Sequence, residues 1–135
     1  MNPDENAIPA ELRSHPNRAV LAYVEDLSAH SDVAEALVNA LTPLGDVQRF
    51  CPAPDLYRYL VASTKGIIFA VALGMDTIGL RLDDRMKSRA LETGATPFPE
   101  CGPEWVMFRL FRADWPKADL EFWVRNAYLA AREGR

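Results

Sequence analysis

The sequence predicts an α+β domain, a two-layer fold in which helices cover one face of an antiparallel sheet of about four or five strands. Apolar residues recur at helical spacing towards both ends of the chain, whereas in the middle they alternate with a period of two. Turns too short for a parallel crossover join the middle strands. The predicted order is α-α-β-β-β-α-β-α. The 135 residues fit one domain, placed at 17–135 behind an extended arm at 1–16.

Two helices are predicted first. Asn17 is a suitable N-cap, and about ten residues with helical apolar spacing follow it. The second helix begins with a capping-box pattern from Asp32 to Glu35 and ends at Pro43 and Gly45. Both helices carry one apolar stripe, so we expect them to pack on the sheet.

A meander of three strands is predicted next, because the apolar period changes from 3.6 to 2. Turn residues separate the strands, and a short edge strand can precede them before Pro52 stops it. The edge strand and the three meander strands are predicted at 46–50, 57–62, 67–73 and 77–82.

The last third returns to helical spacing on either side of one more strand. Asp83 can cap a helix over 84–93, with Gly94 at its C-terminal end. Residues 105–111 alternate and predict a strand, and Asp114 can open the final helix.

Composition and charge exclude several classes of protein. The net charge of −4 and the pI near 5.1 disfavour general nucleic-acid binding, since the summed field repels polyanions. The acidic N-terminus does not fit a signal peptide, and the longest apolar run, 67–73, is too short to span a membrane. We therefore expect a cytoplasmic protein. The glycines form no nucleotide-binding motif, and no cofactor is predicted.

The cysteines and histidines do not predict a metal site or a catalytic centre. Cys51 and Cys101 lie fifty residues apart with no CxxC motif, and only His15 and His30 accompany them. A thiolate–imidazole pair at Cys101 stays open, but no nucleophile signature surrounds it. A disulfide is not expected in a reducing cytosol.

The most informative pattern is one face of the predicted sheet. Alternation places large apolar and arginine side chains opposite the core face, and Met107 lies among them. This surface can be a solvated face covered by arginine stems, a homodimer interface, or a pocket for a planar anion. The predicted ligand-binding residues are Arg58, Arg81, Trp105, Arg109 and Phe111.

Residues 66–131 carry a diffuse resemblance to a known group. A strand ends in Leu80-Arg81-Leu82, Glu92-Thr93-Gly94 closes a helix, Trp105-Val106 opens a strand, and Ala127-Tyr128 lies in the last helix. This half of the chain resembles the small α+β domains of the TfoX N-terminal and YjbR groups. The resemblance implies a non-enzymatic module, sometimes described as DNA-binding or competence-related, with no catalytic residues to carry over.

These observations predict a non-enzymatic protein-interaction or binding module that works without a cofactor. Its expected partner is a second copy or another protein, met through the arginine-rich sheet face. Two other functions stay open. One is a small-molecule anion-binding protein or enzyme using Arg58, Arg81 and Arg109; the other is a nucleic-acid-associated protein of the TfoX or YjbR kind.

Overall fold

The computed structural model describes residues 8–13, 16–25, 27–51, 59–110 and 119–134, and it confirms the α+β class. The helices are α1 (Arg18–Val24), α2 (Ser31–Leu41), α3 (Asp84–Glu92) and α4 (Asp119–Arg132). The strands are β1 (Gln48–Phe50), β2 (Leu60–Thr64), β3 (Ile67–Leu73), β4 (Thr77–Arg81), β5 (Thr96–Pro97) and β6 (Trp105–Arg109). Among these residues, no helix is long and apolar enough to cross a membrane.

The six strands form one antiparallel sheet in the order β1-β2-β3-β4-β6-β5. The predicted meander is β2-β3-β4, and the optional edge strand is β1. The sixth strand, β5, was not predicted, because two residues ending in Pro97 carry no alternation to detect. Both edge strands are short, which limits pairing with the edges of other sheets.

The first face of the sheet carries the larger core, covered by α2, α3 and α4 as predicted. Leu37 of α2, Ala90 of α3 and Val124 of α4 are fully buried in it. A bulge in β3 enlarges this core: Phe69 is the extra residue opposite β2, and it turns towards the same face as Ala70.

The second face carries a smaller core. This differs from the prediction, which placed all helices on one side of the sheet. Val20 and Val24 of α1 are fully buried there against β2 and β3. Part of the predicted arm lies here too, because a 3-10 turn at Ala10–Leu12 buries Ile8 and Leu12. Residues 8–13 therefore pack on the sheet, while the rest of the arm up to residue 7 lies outside the described residues.

Asn17 occupies the predicted N-cap position of α1, but its side chain makes no cap hydrogen bond and anchors the helix to the sheet instead. Its amide nitrogen donates to the carbonyl oxygen of Gly66 at 2.9 Å, and its amide oxygen accepts from the backbone N–H of Ile68 at 2.8 Å. Asn17 is 2% exposed. Two hydrogen bonds thus compensate for burying this polar group under the helix.

The N-cap of α3 agrees with the sequence prediction, whereas the N-cap of α2 differs from it. Asp83 caps α3 as predicted, accepting from the backbone N–H of Met86 at 2.9 Å. At α2 the cap is His30, whose Nδ1 accepts from the backbone N–H of Asp32 at 3.1 Å, so the helix begins before the predicted capping box. The predicted cap of the last helix, Asp114, lies outside the described residues.

Candidate functional site

The side chains of β4 and β6 alternate between the two faces of the sheet as predicted. Arg81 pairs with Trp105, Gly79 with Met107, and Thr77 with Arg109. The residues that alternate with them along each strand, such as Phe108, point to the other face and belong to the first core. The predicted residues Arg58 and Phe111 lie outside the described residues, so three of the five can be placed.

Trp105 is buried, not exposed, and the prediction of a surface indole is wrong. Its exposure is 1%, and it packs in the second core with Phe98 and Cys101. The chain after β5 folds back over this end of the sheet and covers it. Gly102, at φ 137°, lies against the indole: a Cβ there would be 3.3 Å from Cδ1 of Trp105. The indole is therefore part of the core and not a stacking platform.

Arg109 is exposed and held by neighbours at the far end of β6. Its Nη1 donates to Oγ1 of Thr77 at 3.2 Å and lies 3.7 Å from Oδ1 of Asp76. A solvated pair of this kind contributes little to stability. The guanidinium of Arg109 nevertheless lies against a carboxylate of its own chain.

Arg81 lies at the opposite end of the same strand pair. Four residues along β4 separate it from the position opposite Arg109, about 13 Å at the usual strand rise. Arg81 instead borders an open cleft of about 440 Å³ with Arg85 and three carboxylates, those of Asp83, Asp84 and Glu104. The described residues thus do not bring Arg81 and Arg109 together on one small anion.

The cysteine thiols are poorly suited to nucleophilic chemistry. Burial, with a smaller contribution from the Glu100 carboxylate, raises the pKa of Cys101 to about 12, and burial also raises the pKa of Cys51. Cys51 and Cys101 are not joined by a disulfide. Since the thiolate is the reactive form, burial disfavours nucleophilic attack by either sulfur.

No group of three or more potential metal ligands occurs among the described residues. The one described histidine, His30, uses Nδ1 for its cap and lies beside an open cavity of about 520 Å³. Ser28 and Ser31 of the α2 start and Met75 of the β3–β4 turn also line this cavity. Met75 is 69% exposed.

A surface that sequence reasoning missed lies on the outer side of α4. Phe122 and Leu129 are 37% and 42% exposed, and seven residues place them on the same side of the helix. Arg125 is exposed between them. We call these three residues the α4 surface. The sequence carries this signal, because helical spacing places Phe122 and Leu129 on the side of α4 opposite to its buried residues.

The α4 surface is held in place by contacts on the inner side of the helix. The ring of Phe122 packs edge-on against Trp123 at 4.9 Å between centroids, and Trp123 lies 5.6 Å from Phe108 of β6. At the other end, the Tyr128 hydroxyl donates to the carbonyl oxygen of Gly45 at 2.6 Å. Arg132 extends this anchor through an ion pair with Asp46 at 3.3 Å.

Comparisons with known proteins return no match, whether among protein-family models, curated proteins or solved structures. The resemblance of residues 66–131 to the TfoX N-terminal and YjbR domains therefore stays a prediction.

Proposed function

We propose that this chain is a cytoplasmic protein-interaction module that acts by binding and not by catalysis, and that it binds through the α4 surface. The observation that carries this proposal is the exposure of Phe122 and Leu129 on one side of a helix whose other side is buried. That Cys51 and Cys101 are not joined by a disulfide fits a reducing compartment.

The residue types of the α4 surface are those that protein interfaces favour. Aromatic residues and arginine are enriched at interfaces, where a ring supplies apolar area and a guanidinium supplies directed hydrogen bonds. Phe122 and Arg125 occupy neighbouring turns of α4, and Leu129 extends the apolar part by one more turn. Together they supply an apolar centre with a charged flank.

Anchoring of α4 lowers the cost of binding. Side chains at both ends of the helix are fixed by packing and hydrogen bonds, Trp123 near the start and Tyr128 near the end. A partner that docks on a helix already ordered does not have to offset the entropy of ordering it. The α4 surface is therefore preorganised for recognition.

Site-specific photo-cross-linking in cells tests this function. A photoreactive residue in place of Leu129 is expected to give a discrete protein adduct. Phe122→Ala should abolish the adduct. Leu91→Ala should preserve it, because Leu91 lies on α3 and has the same 37% exposure as Phe122. The proposal fails if position 129 gives no adduct, or if the adduct is indifferent to Phe122→Ala.

A further inference from the structure

We infer that the start of α2 is a pH-sensitive switch centred on His30. While the ring is neutral, its Nδ1 caps the helix by accepting a hydrogen bond from the backbone N–H of Asp32. When the ring is protonated, the same nitrogen becomes a donor and pairs with the Asp32 carboxylate. This inference is independent of the α4 surface and of the function proposed for it.

Nδ1 of His30 has both of these partners close by. It lies 3.1 Å from the backbone nitrogen of Asp32, from which it accepts a hydrogen bond, and 3.7 Å from Oδ2 of the same residue. An imidazole nitrogen accepts a hydrogen bond only while it carries no proton, and it donates one once it is protonated. A single proton on Nδ1 therefore decides which of the two Asp32 groups this nitrogen can bind.

The ring of His30 is open to the solvent that supplies this proton. Its side chain is 43% exposed, and it borders the open cavity that Ser28, Ser31 and Met75 also line. Histidine is the side chain that ordinarily titrates between about pH 5 and pH 8. Serine, threonine and asparagine caps do not change over this range, so a histidine cap makes the start of α2 sensitive to mild acid.

Asp32 supplies the charge that the protonated ring meets. Among the described residues, it carries the one carboxylate within ion-pairing distance of the ring. The β3–β4 turn brings the uncharged Met75 beside the ring, while the carboxylate of Asp76 in that turn pairs with Arg109. The segment before α2 contributes the uncharged Ser28, and α2 itself contains no basic residue. The second state of the switch is therefore a pair between His30 and Asp32.

Protonation weakens the first turn of α2. The backbone N–H of Asp32 loses its cap, and a positive charge at this end of the helix opposes the helix dipole. The pair with the Asp32 carboxylate, which is 70% exposed, offsets little of this loss. The backbone hydrogen bonds that join Ser28 and His30 to Gly74 do not involve the ring, so we expect the change to be confined to the helix start.

NMR spectroscopy of the full chain tests the two states at the atoms involved. At pH 8 we expect a scalar coupling across the hydrogen bond between the backbone nitrogen of Asp32 and Nδ1 of His30, with the ring protonated at Nε2 alone. At pH 5 the coupling should be absent and both ring nitrogens protonated. A coupling that persists at pH 5, or one that is absent at both pH values, would overturn the inference.

His30→Asn separates the switch from ordinary capping, because asparagine caps a helix and does not titrate. The readout is the hydrogen-exchange rate of the Asp32 amide relative to its intrinsic rate at each pH. From pH 8 to pH 5 this ratio should rise at least about threefold in wild type and stay constant in His30→Asn. His15→Gln, which replaces the chain's other histidine, should behave as wild type does. Equal rises in wild type and His30→Asn, or no rise in His15→Gln, would contradict a switch at His30.

Asp32→Asn tests the protonated state. This variant keeps the backbone N–H that the neutral ring caps, but it removes the carboxylate that the protonated ring meets. The imidazole titration of His30, followed by NMR, should therefore move to lower pH than in wild type. Glu35→Gln, which removes another exposed carboxylate of α2, should move it by a smaller amount. A titration that does not move in Asp32→Asn, or that moves equally in both variants, would overturn the exchange of partners at Nδ1.

Discussion

Gly79 in the middle of β4 allows the second face of the sheet to pack closely. A Cβ at this position would lie 2.9 Å from Cε2 of Phe98 and 2.9 Å from Cγ2 of Val71. The ring of Phe98 therefore rests almost on the backbone, where it also packs edge-on against Tyr23 of α1 at 5.3 Å. The absence of a side chain at Gly79 thus lets Phe98 of the covering loop pack against both the sheet and α1.

Gly79→Ala is expected to destabilise the fold by about 1–3 kcal/mol, as overpacking of a dense core does. The matched control is Gly45→Ala, because a Cβ there meets nothing within 4 Å and its backbone is not left-handed. Urea unfolding of both variants measures the difference. Equal unfolding free energies for the two variants would contradict the packing described for Phe98.

Burial of Cys101 gives the fold a dependence on alkaline pH. Burial raises the pKa of this thiol from 9.0 to about 12, so the unfolded chain releases the proton at a lower pH than the folded chain does. The thiol's contribution to stability is complete below pH 9 and is lost as the pH rises towards 12.

Between pH 8 and pH 10, wild type should lose about 1 kcal/mol more unfolding free energy than Cys101→Ala. Cys51 is present in both proteins, so its own raised pKa cancels in the comparison. Urea titrations at the two pH values measure the difference. Parallel losses in the two proteins would show that the thiol has the same proton affinity folded and unfolded.

At the scale of elements, the cap of α3 is the clearest local determinant. The Asp83 carboxylate satisfies the backbone N–H of Met86, one of the donors that a helix start leaves without an intrahelical partner. We expect Asp83→Ala to lower the unfolding free energy by about 1 kcal/mol. Asp83→Ser, which retains a capping oxygen, should recover most of it in thermal and urea unfolding, and a serine variant as unstable as the alanine variant would contradict a capping role.

The elements predicted correctly from the sequence are those with strong local signals. The period-two alternation of the meander and the Asp83 cap are examples, since each depends on residues close in the chain. His30 was missed because a histidine cap has no pattern. The N-cap position of Asn17 was predicted, but its side-chain hydrogen bonds were not, because their partners, Gly66 and Ile68, lie about fifty residues away. Long-range hydrogen bonds leave no periodicity to read.

The candidate site was harder to predict than the fold, for a related reason. Alternation correctly placed Trp105 and Arg109 on one face of β6, but it carries no information about what covers that face. The cover consists of α1, the 3-10 turn and the loop around Phe98, which are distant in sequence from most of the sheet. By contrast, the exposure of Phe122 and Leu129 follows from helical spacing alone, because both lie on the side of α4 opposite to its buried residues.

At the scale of the whole molecule, the net charge of −4 opposes the approach of acidic partners at long range. Salt at physiological strength screens charges beyond about 8 Å, so the contacts that Phe122, Arg125 and Leu129 can make decide the outcome at close range. The same charge disfavours the nucleic-acid function that the TfoX-like resemblance implies. An acidic chain with an apolar helix surface is better suited to a protein partner.

Photo-cross-linking at two matched positions tests most directly whether the α4 surface is where this chain binds a protein. We expect a discrete adduct from a photoreactive residue at position 129 of α4 and none from one at position 91 of α3, although Leu129 and Leu91 are both exposed, at 42% and 37%. An adduct from position 91 alone, or no adduct from either position, would contradict binding through α4.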